Sequence, residues 1–273
     1  MVEVVSLFEV GPVTVHFFGV MIAVGVLVSM MFFLKEIKRA GYDNDLVLNG
    51  VFFAFFGGIV GARLVFVFVY EPAYYIQAPL EILFIHQGGL SIHGGIVGGL
   101  VTAVLYMKKN KLPIWRLLDL AAPFLILAQG ISRIGCDVFG YTVPEWWPLG
   151  IDHNGEQVHP VQAYEFTLNY LLFGYLWVKL RAIQYEGQVF LHYLFGFMLI
   201  RAIVELARLN PEFMGISVSH LMSLIGMTVA VILILWKRKP HSVSIQKEDV
   251  SQAGWIVGGL IILSWALYWF VQG

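Results

Sequence analysis

The chain has 273 residues, of which 59% are hydrophobic and 13% charged, with mean hydropathy +0.77 and a formal net charge of −1. Soluble domains carry roughly 25% charged residues, so this composition excludes a water-soluble enzyme, a disordered chain and a disulfide scaffold; Cys136 is the one cysteine. No basic run is long enough for a nucleic-acid groove, so no nucleic-acid partner is expected, and a polytopic membrane protein is what remains.

The opening MVEVVSLFEVGP is acidic where a signal peptide is basic, so no cleaved signal is expected. A membrane span needs about 20 mostly apolar residues. Eight stretches qualify, at 13–34, 46–70, 89–107, 117–134, 161–180, 188–207, 216–236 and 253–271. None alternates in the short segments of barrel strands. The expected fold is therefore all-α, a transmembrane helical bundle of about eight spans.

The basic residues orient this bundle. Lys35, Lys38 and Arg39 follow the first stretch, and Lys108, Lys109, Lys111 and Arg116 follow the third. Lys179 and Arg181 follow the fifth, and Lys237, Arg238, Lys239 and Lys247 follow the seventh. These 13 of the 17 basic residues occupy alternate loops, while 71–88 and 135–160 hold none. Such a pattern predicts those two segments and both termini outside the cytoplasm. Segment 135–160, with Trp146, Trp147 and several turn residues, reads as a small extracytoplasmic cap. The expected organisation is a core over 1–236, a polar linker over 237–250 and an appended span over 251–273.

The four remaining basic residues are Arg63, Arg133, Arg201 and Arg208. Placing an arginine at the bilayer centre costs about 2.5–3.5 kcal/mol even on the mildest scale, and its charge persists at every physiological pH. Each must meet an anion or water. Arg201, Glu205 and Arg208 stand at i, i+4 and i+7 and share one helix face. Two readings stay open here. One is an internal ion-pair set with Glu165 and Glu205; the other is a cationic pocket for the phosphate of a lipid headgroup.

Two further clusters stand out. In His86-Gln-Gly-Gly-Leu-Ser-Ile-His93-Gly94-Gly95-Ile-Val-Gly98-Gly99, the spaced glycines suit close helix packing, with Gly57, Gly58 and Gly61 as a matching face. His93 at the entry of that span is a candidate general base, or a structural histidine. In His159-Pro160-Val-Gln162-Ala-Tyr164-Glu165, Pro160 starts a helix whose first turn presents polar groups. Cys136, close to Arg133, is a candidate nucleophile for acyl transfer. No His-Glu-x-x-His or Gly-x-Ser-x-Gly motif occurs, and the histidines match no metal spacing, so neither a metal nor a cofactor is expected.

In their order these boxes resemble the bacterial prolipoprotein diacylglyceryl transferase family over about residues 10–236. The resemblance rests on Gly11-Pro12 through His16-Phe17-Phe18-Gly19, the run from Gly57 to Arg63, and the Gly88-to-Gly95 box. Ser132-Arg133-Ile-Gly135, the His159-to-Glu165 box and Arg201 through Glu205 to Arg208 complete it. It implies transfer of a diacylglyceryl group from phosphatidylglycerol to the lipobox cysteine of a prolipoprotein, with glycerol-1-phosphate released. It implies a bacterial plasma-membrane protein working on its extracytoplasmic side, among membrane lipids. By the resemblance His93 is the base, and Arg133 and Arg201 hold the phosphate. Arg63, Gly94, Gly95, Cys136, Gln162, Tyr164, Glu165, Glu205 and Arg208 are expected around the substrates. The chain departs from the family pattern at Cys136, where an asparagine is usual, and at Phe18 and Phe197, where tyrosines are usual. Those departures motivate another reading, a non-catalytic phospholipid- or lipoprotein-binding protein on the same scaffold. A transporter lacks the support of internal repeats.

Overall fold

Each of the eight apolar stretches becomes a helix, and the turn chemistry between them decides where each begins. The computed structural model describes residues 6–10, 13–84, 88–153, 155–208, 212–213, 216–237 and 247–272. His86, Asn154, Gly11, Pro12, Arg238 and Lys239, all noted in the sequence, and most of the 237–250 linker lie outside the described residues.

The chain opens on an antiparallel hairpin, β1 (Ser6–Val10) with β2 (Val13–His16). Helix α1 (Phe17–Arg39) follows. The span predicted from residue 13 thus starts four residues later, because Val13-Thr14-Val15 is a run of β-branched residues that favours a strand. Helix α2 (Asn44–Val65) starts where the Asp43 carboxylate accepts from the Asp45 amide at 2.8 Å, and it continues into a π-helical turn, Phe66–Tyr70. The predicted loop 71–88 carries a short helix, α3 (Pro72–Gln77), and a 3₁₀ turn, Pro79–Leu83. Next come α4 (Ile92–Lys109) and α5 (Ile114–Arg133). The predicted cap contains a hairpin of β3 (Ile151–His153) and β4 (Glu156–Val158). Helix α6 (Val161–Leu180) has the predicted bounds, and α7 (Gln188–Glu205) follows. A two-residue hairpin, β5 (Glu212–Phe213) with β6 (Ile216–Ser217), leads to α8 (Val218–Lys237) and then α9 (Lys247–Gln272).

Among the described residues six helices are long and apolar enough to cross a membrane: α1, α2 with its π turn, α5, α7, α8 and α9. Helices α4 and α6 occupy predicted spans but are less apolar. The first ends in Lys108-Lys109, and the second carries Gln162, Glu165 and Asn169. The fold is an all-α multi-pass membrane protein. Large exposed side chains such as Phe55, Phe56, Leu224 and Ile232 provide the apolar surface that lipid requires.

The chain forms two compact units, 34–117 and 1–33 with 118–273. In the first, α2 and α4 pack backbone to backbone. A Cβ on Gly61 would lie 2.8 Å from the Gly98 Cα, one on Gly98 would strike the Gly57 carbonyl, and one on Gly94 would strike the Gly61 carbonyl. Lipid tails give helices no hydrophobic reason to associate, so this closeness is what supplies the dispersion contacts.

In the second unit α6 is the central helix. Phe166, Tyr170 and Leu176 are fully buried on it, and the Tyr170 ring fills the space over Gly130 of α5, where a Cβ would come within 2.7 Å of it. Asp119 of α5, also fully buried, accepts from the amides of Gly187 at 2.7 Å and Phe190 at 2.9 Å. A carboxylate there compensates the open amides and positive dipole at the start of α7. It thereby fixes the height of α7 against α5.

Gly98→Ala should force α2 and α4 apart and lower the unfolding temperature in detergent. Gly258→Ala on α9, where a Cβ meets nothing within 4 Å, should be neutral or stabilising by up to about 1 kcal/mol. Thermal melts of the two variants check the contrast.

Candidate functional site

The site grows from one carboxylate. Glu165 lies in the second turn of α6 with its side chain 3% exposed. Its Oε1 meets the Arg133 Nε at 3.0 Å, and its Oε2 meets the Arg201 Nη1 at 3.3 Å. One acid therefore holds the last residue of α5 and an interior residue of α7 at the same level. Arg201 also reaches Glu205, one turn further along α7, with Nη2 to Oε2 at 3.5 Å. Ser217 donates to the other oxygen of Glu205, and Arg201 Nη2 donates to Ser219 Oγ at 3.4 Å.

Arg208 completes the cluster just past α7. Its backbone bridges to Gly140, and burial followed by the nearby charges of Arg201 and Arg133 pushes its guanidinium down from the ordinary arginine value. Three guanidinium groups thus meet two buried carboxylates, with Asp137 on the flank toward Tyr268. Arg133 is more accessible than Arg201, 30% exposed against 17%. Its Nη1 donates to the Cys136 Sγ at 3.4 Å, and among the described residues its Nη2 makes no hydrogen bond. A guanidinium edge that is partly open suits a phosphate.

A short sheet covers this end of the unit. The Gly140 amide donates to the His159 carbonyl at 3.0 Å, the Tyr141 amide to Ala207 at 3.1 Å, and the Val143 amide to Gln157 at 2.7 Å. Residues 140–143 are thereby laced to the β4 segment on one side and to 207–208 on the other. Gly140 has no room for a Cβ, which would strike the Ala207 carbonyl. Tyr164 is turned toward the cap. Its hydroxyl accepts from the Trp147 indole at 3.3 Å and lies 3.0 Å from His159 Nδ1. Gln162 is buried on α6 one turn before Glu165.

The other predicted residues belong to the 34–117 unit. Arg63 is 6% exposed and its guanidinium is occupied by backbone carbonyls: Glu81 at 2.5 Å, Ile82 and Gly88 at 2.8 Å, and Gly89 at 3.0 Å. The Tyr75 ring lies 5.1 Å from it. Gly88 and Gly89 have φ of +91° and +73°, and a Cβ on Gly89 would come within 2.6 Å of the guanidinium. Arg63 thus gathers residues 81–82 and 88–89 around itself, beside a cavity of about 350 Å³ also lined by Glu71 and Tyr74. Gly94 and Gly95 serve the α2–α4 contact, Gly94 tightly, while a Cβ on Gly95 would lie 3.6 Å from the Ala62 Cβ, an ordinary contact. His93 is exposed in the first turn of α4, which Ser91 caps. Sequence reasoning passed over Ser217, Ser219 and Asp119. Ser217 just ahead of α8, accepting from the Ser219 amide in its first turn, is a helix-start pattern that marks such positions.

A family model described as prolipoprotein diacylglyceryl transferase matches residues 5–236. The chain belongs to the prolipoprotein diacylglyceryl transferase family. Proteins named phosphatidylglycerol–prolipoprotein diacylglyceryl transferase are similar to it across most of both lengths. The one from Oceanobacillus iheyensis is 31% identical over 253 residues, covering 86% of this chain and 88% of the relative. That of Staphylococcus xylosus is 31% identical over 264 residues, covering 91% and 94%. That of Bacillus cereus is 30% identical over 250 residues, covering 85% and 91%. The transferase family match takes in every residue of the Arg133–Glu165–Arg201 cluster and ends before α9.

Glu165→Gln should leave two buried guanidinium groups without their shared counter-charge. A loss of about 3–5 kcal/mol is expected, visible as a large drop in unfolding temperature. Burial lowers the His159 pKa below its ordinary 6.5. The unfolded chain then binds the proton first, so this contribution is full above pH 6.5 and declines as pH falls below it. Protection factors of the amides in 140–143 and 156–159, referred to the intrinsic exchange rate at each pH, should fall as the medium is acidified through that range, and His159→Gln should flatten the dependence.

Proposed function

We propose that this protein transfers a diacylglyceryl group from phosphatidylglycerol to the lipobox cysteine of a prolipoprotein, at the extracytoplasmic face of the bacterial plasma membrane. The observation that carries the reading is the Arg133–Glu165–Arg201 cluster with Arg208 beside it, set in a chain of this family. The orientation rests on the basic residues of alternate loops, which put the cluster's end of α5 and α6 outside.

The reaction forms a carbon–sulfur bond and breaks a carbon–oxygen bond. The acceptor thiolate attacks the glyceryl carbon that bears the phosphate ester. The electron pair of the breaking bond leaves with glycerol-1-phosphate, whose charge grows as the bond lengthens. Fixed guanidinium groups aimed at that growing charge lower the barrier without reorganising. Arg133, partly open and with an unused edge, is the first contact for the phosphate; Arg201, held by Glu165, Glu205 and Ser219, keeps its place as charge develops. By the family resemblance His93 is the base for the thiol proton; its imidazole is exposed in the first turn of α4. Cys136, Gln162, Glu205 and Arg208 complete the surroundings of the lipid headgroup. Arg63, Gly94 and Gly95 shape the backbone of the 34–117 unit, and Tyr164 holds the cap.

Purified protein should move labelled lipid from phosphatidylglycerol vesicles to a lipobox peptide. Arg133→Ala and Arg201→Ala should each reduce the rate by about 10²–10³, and His93→Asn by about 10²–10⁴. Near-normal rates in all three would overturn the mechanism. Lipid binding without any thioether product in the unmodified protein would replace the enzyme by a lipid-binding protein on the same scaffold.

A further inference from the structure

Helix α9 lies outside the family match, yet it is fastened along the helix that carries Glu165. A Cβ on Gly174 would lie 2.7 Å from Val257, Tyr170 and Ser264 share a hydrogen bond of 2.9 Å, and the Trp265 indole donates to Thr167 at 3.0 Å. As numbering falls along α6 it rises along α9, so the two run antiparallel. The next turn of α9 brings Tyr268 to Phe166, with ring centroids 6.1 Å apart.

Tyr268 is 0% exposed, and its hydroxyl has no formed hydrogen bond. Gln162 stands one turn before Phe166 on the same flank of α6, is 1% exposed, and has both amide atoms in the same condition. The hydroxyl approaches this amide without the alignment of a formed hydrogen bond, and Cys136, Asp137 and Tyr164 lie within its electrostatic reach. A buried phenol and a buried carboxamide left this way are costly. A small guest whose groups both donate and accept would satisfy them. Gln162 sits three residues before Glu165, a rise of about 4.5 Å along the helix axis toward its N-terminus.

We propose that Tyr268, supplied by the helix beyond the family core, and Gln162 together read the uncharged glycerol end of the lipid headgroup, next to the phosphate held by Arg133 and Arg201. The proposal rests on the reading of the arginine cluster as a phosphate site. Glycerol hydroxyls match the phenol and the carboxamide. Phosphatidic acid offers the same phosphate without them, so the pair makes α9 a specificity element.

The test is competition binding of dioleoyl phosphatidylglycerol against dioleoyl phosphatidic acid to the full chain in detergent, read by native mass spectrometry. The unmodified protein should prefer phosphatidylglycerol. Tyr268→Phe and Gln162→Met should each reduce that preference about fivefold, the worth of one neutral hydrogen bond, with phosphatidic acid binding unchanged and the unfolding temperature equal or higher. Should Tyr268→Phe fail to fold, Gln162→Met answers from the α6 side. A folded variant of either kind that keeps the full preference overturns the proposal. So does an unmodified protein with no preference, in which the pair holds water alone. The transfer assay separates the two readings. Preference without any thioether product removes the enzyme and keeps this inference; thioether product with preference untouched by both variants does the reverse.

Discussion

A single buried carboxylate shared by two guanidinium groups organises the second unit. Glu165 forms ion pairs with both Arg133 and Arg201, and an arginine keeps its charge at every physiological pH. The three side chains come from three helices, so the Coulomb term sets the heights of α5, α6 and α7 together. Burying such a set is only worthwhile when every member is paired, because one missing partner leaves a charge stranded in low dielectric. The opposite end of α7 is fixed by Asp119 through two backbone amides. Between these two anchors α7 has little freedom to slide, and Arg201 stays where the phosphate reading needs it.

The arginines also show how the same residue type divides its labour according to what surrounds it. Arg63 meets four carbonyls and an aromatic ring, and nearly all its donors are used on its own chain. Arg133 meets one carboxylate oxygen and one thiol, and it keeps a free edge with more exposure. The first arrangement shapes a segment; the second leaves capacity for a ligand. Cys136 contributes to that difference. A sulfur at 3.4 Å is a weak acceptor, so it orients the guanidinium without competing strongly for it.

Much of the fold was legible because lipid imposes length and hydropathy on any helix that faces it. The bounds of α6 follow from Pro160 at one end and Arg181 at the other. The glycine face joining α2 to α4 was legible because spacing alone specifies it. Other features were not. The start of α1 was misread because a strand of β-branched residues is as apolar as a span. A buried arginine reads the same in sequence whether it will meet a phosphate or its own backbone. Arg63 meets carbonyls 18 to 26 residues away, and only the folded segment reveals them. The acids near the arginines were legible as partners, but that Glu165 serves two of them required the helices to be assembled. Tyr268 was invisible as a polar residue, since one hydroxyl hardly alters the hydropathy of an apolar helix.

The same comparison bears on why the core departs from its family pattern. By resemblance, the asparagine and two tyrosines usual in the family are here Cys136, Phe18 and Phe197. Each change removes a hydrogen-bonding group, and the reaction's demand for such groups does not change with them. Cys136 lies within the electrostatic reach of Tyr268, and the phenol comes from a helix the family core does not include. An added helix that brought only apolar packing would have no reason to bury a hydroxyl beside an unmatched carboxamide, since phenylalanine packs as well without the desolvation cost. Burial of that oxygen next to Gln162 is therefore better explained by what it can bind than by what it holds together.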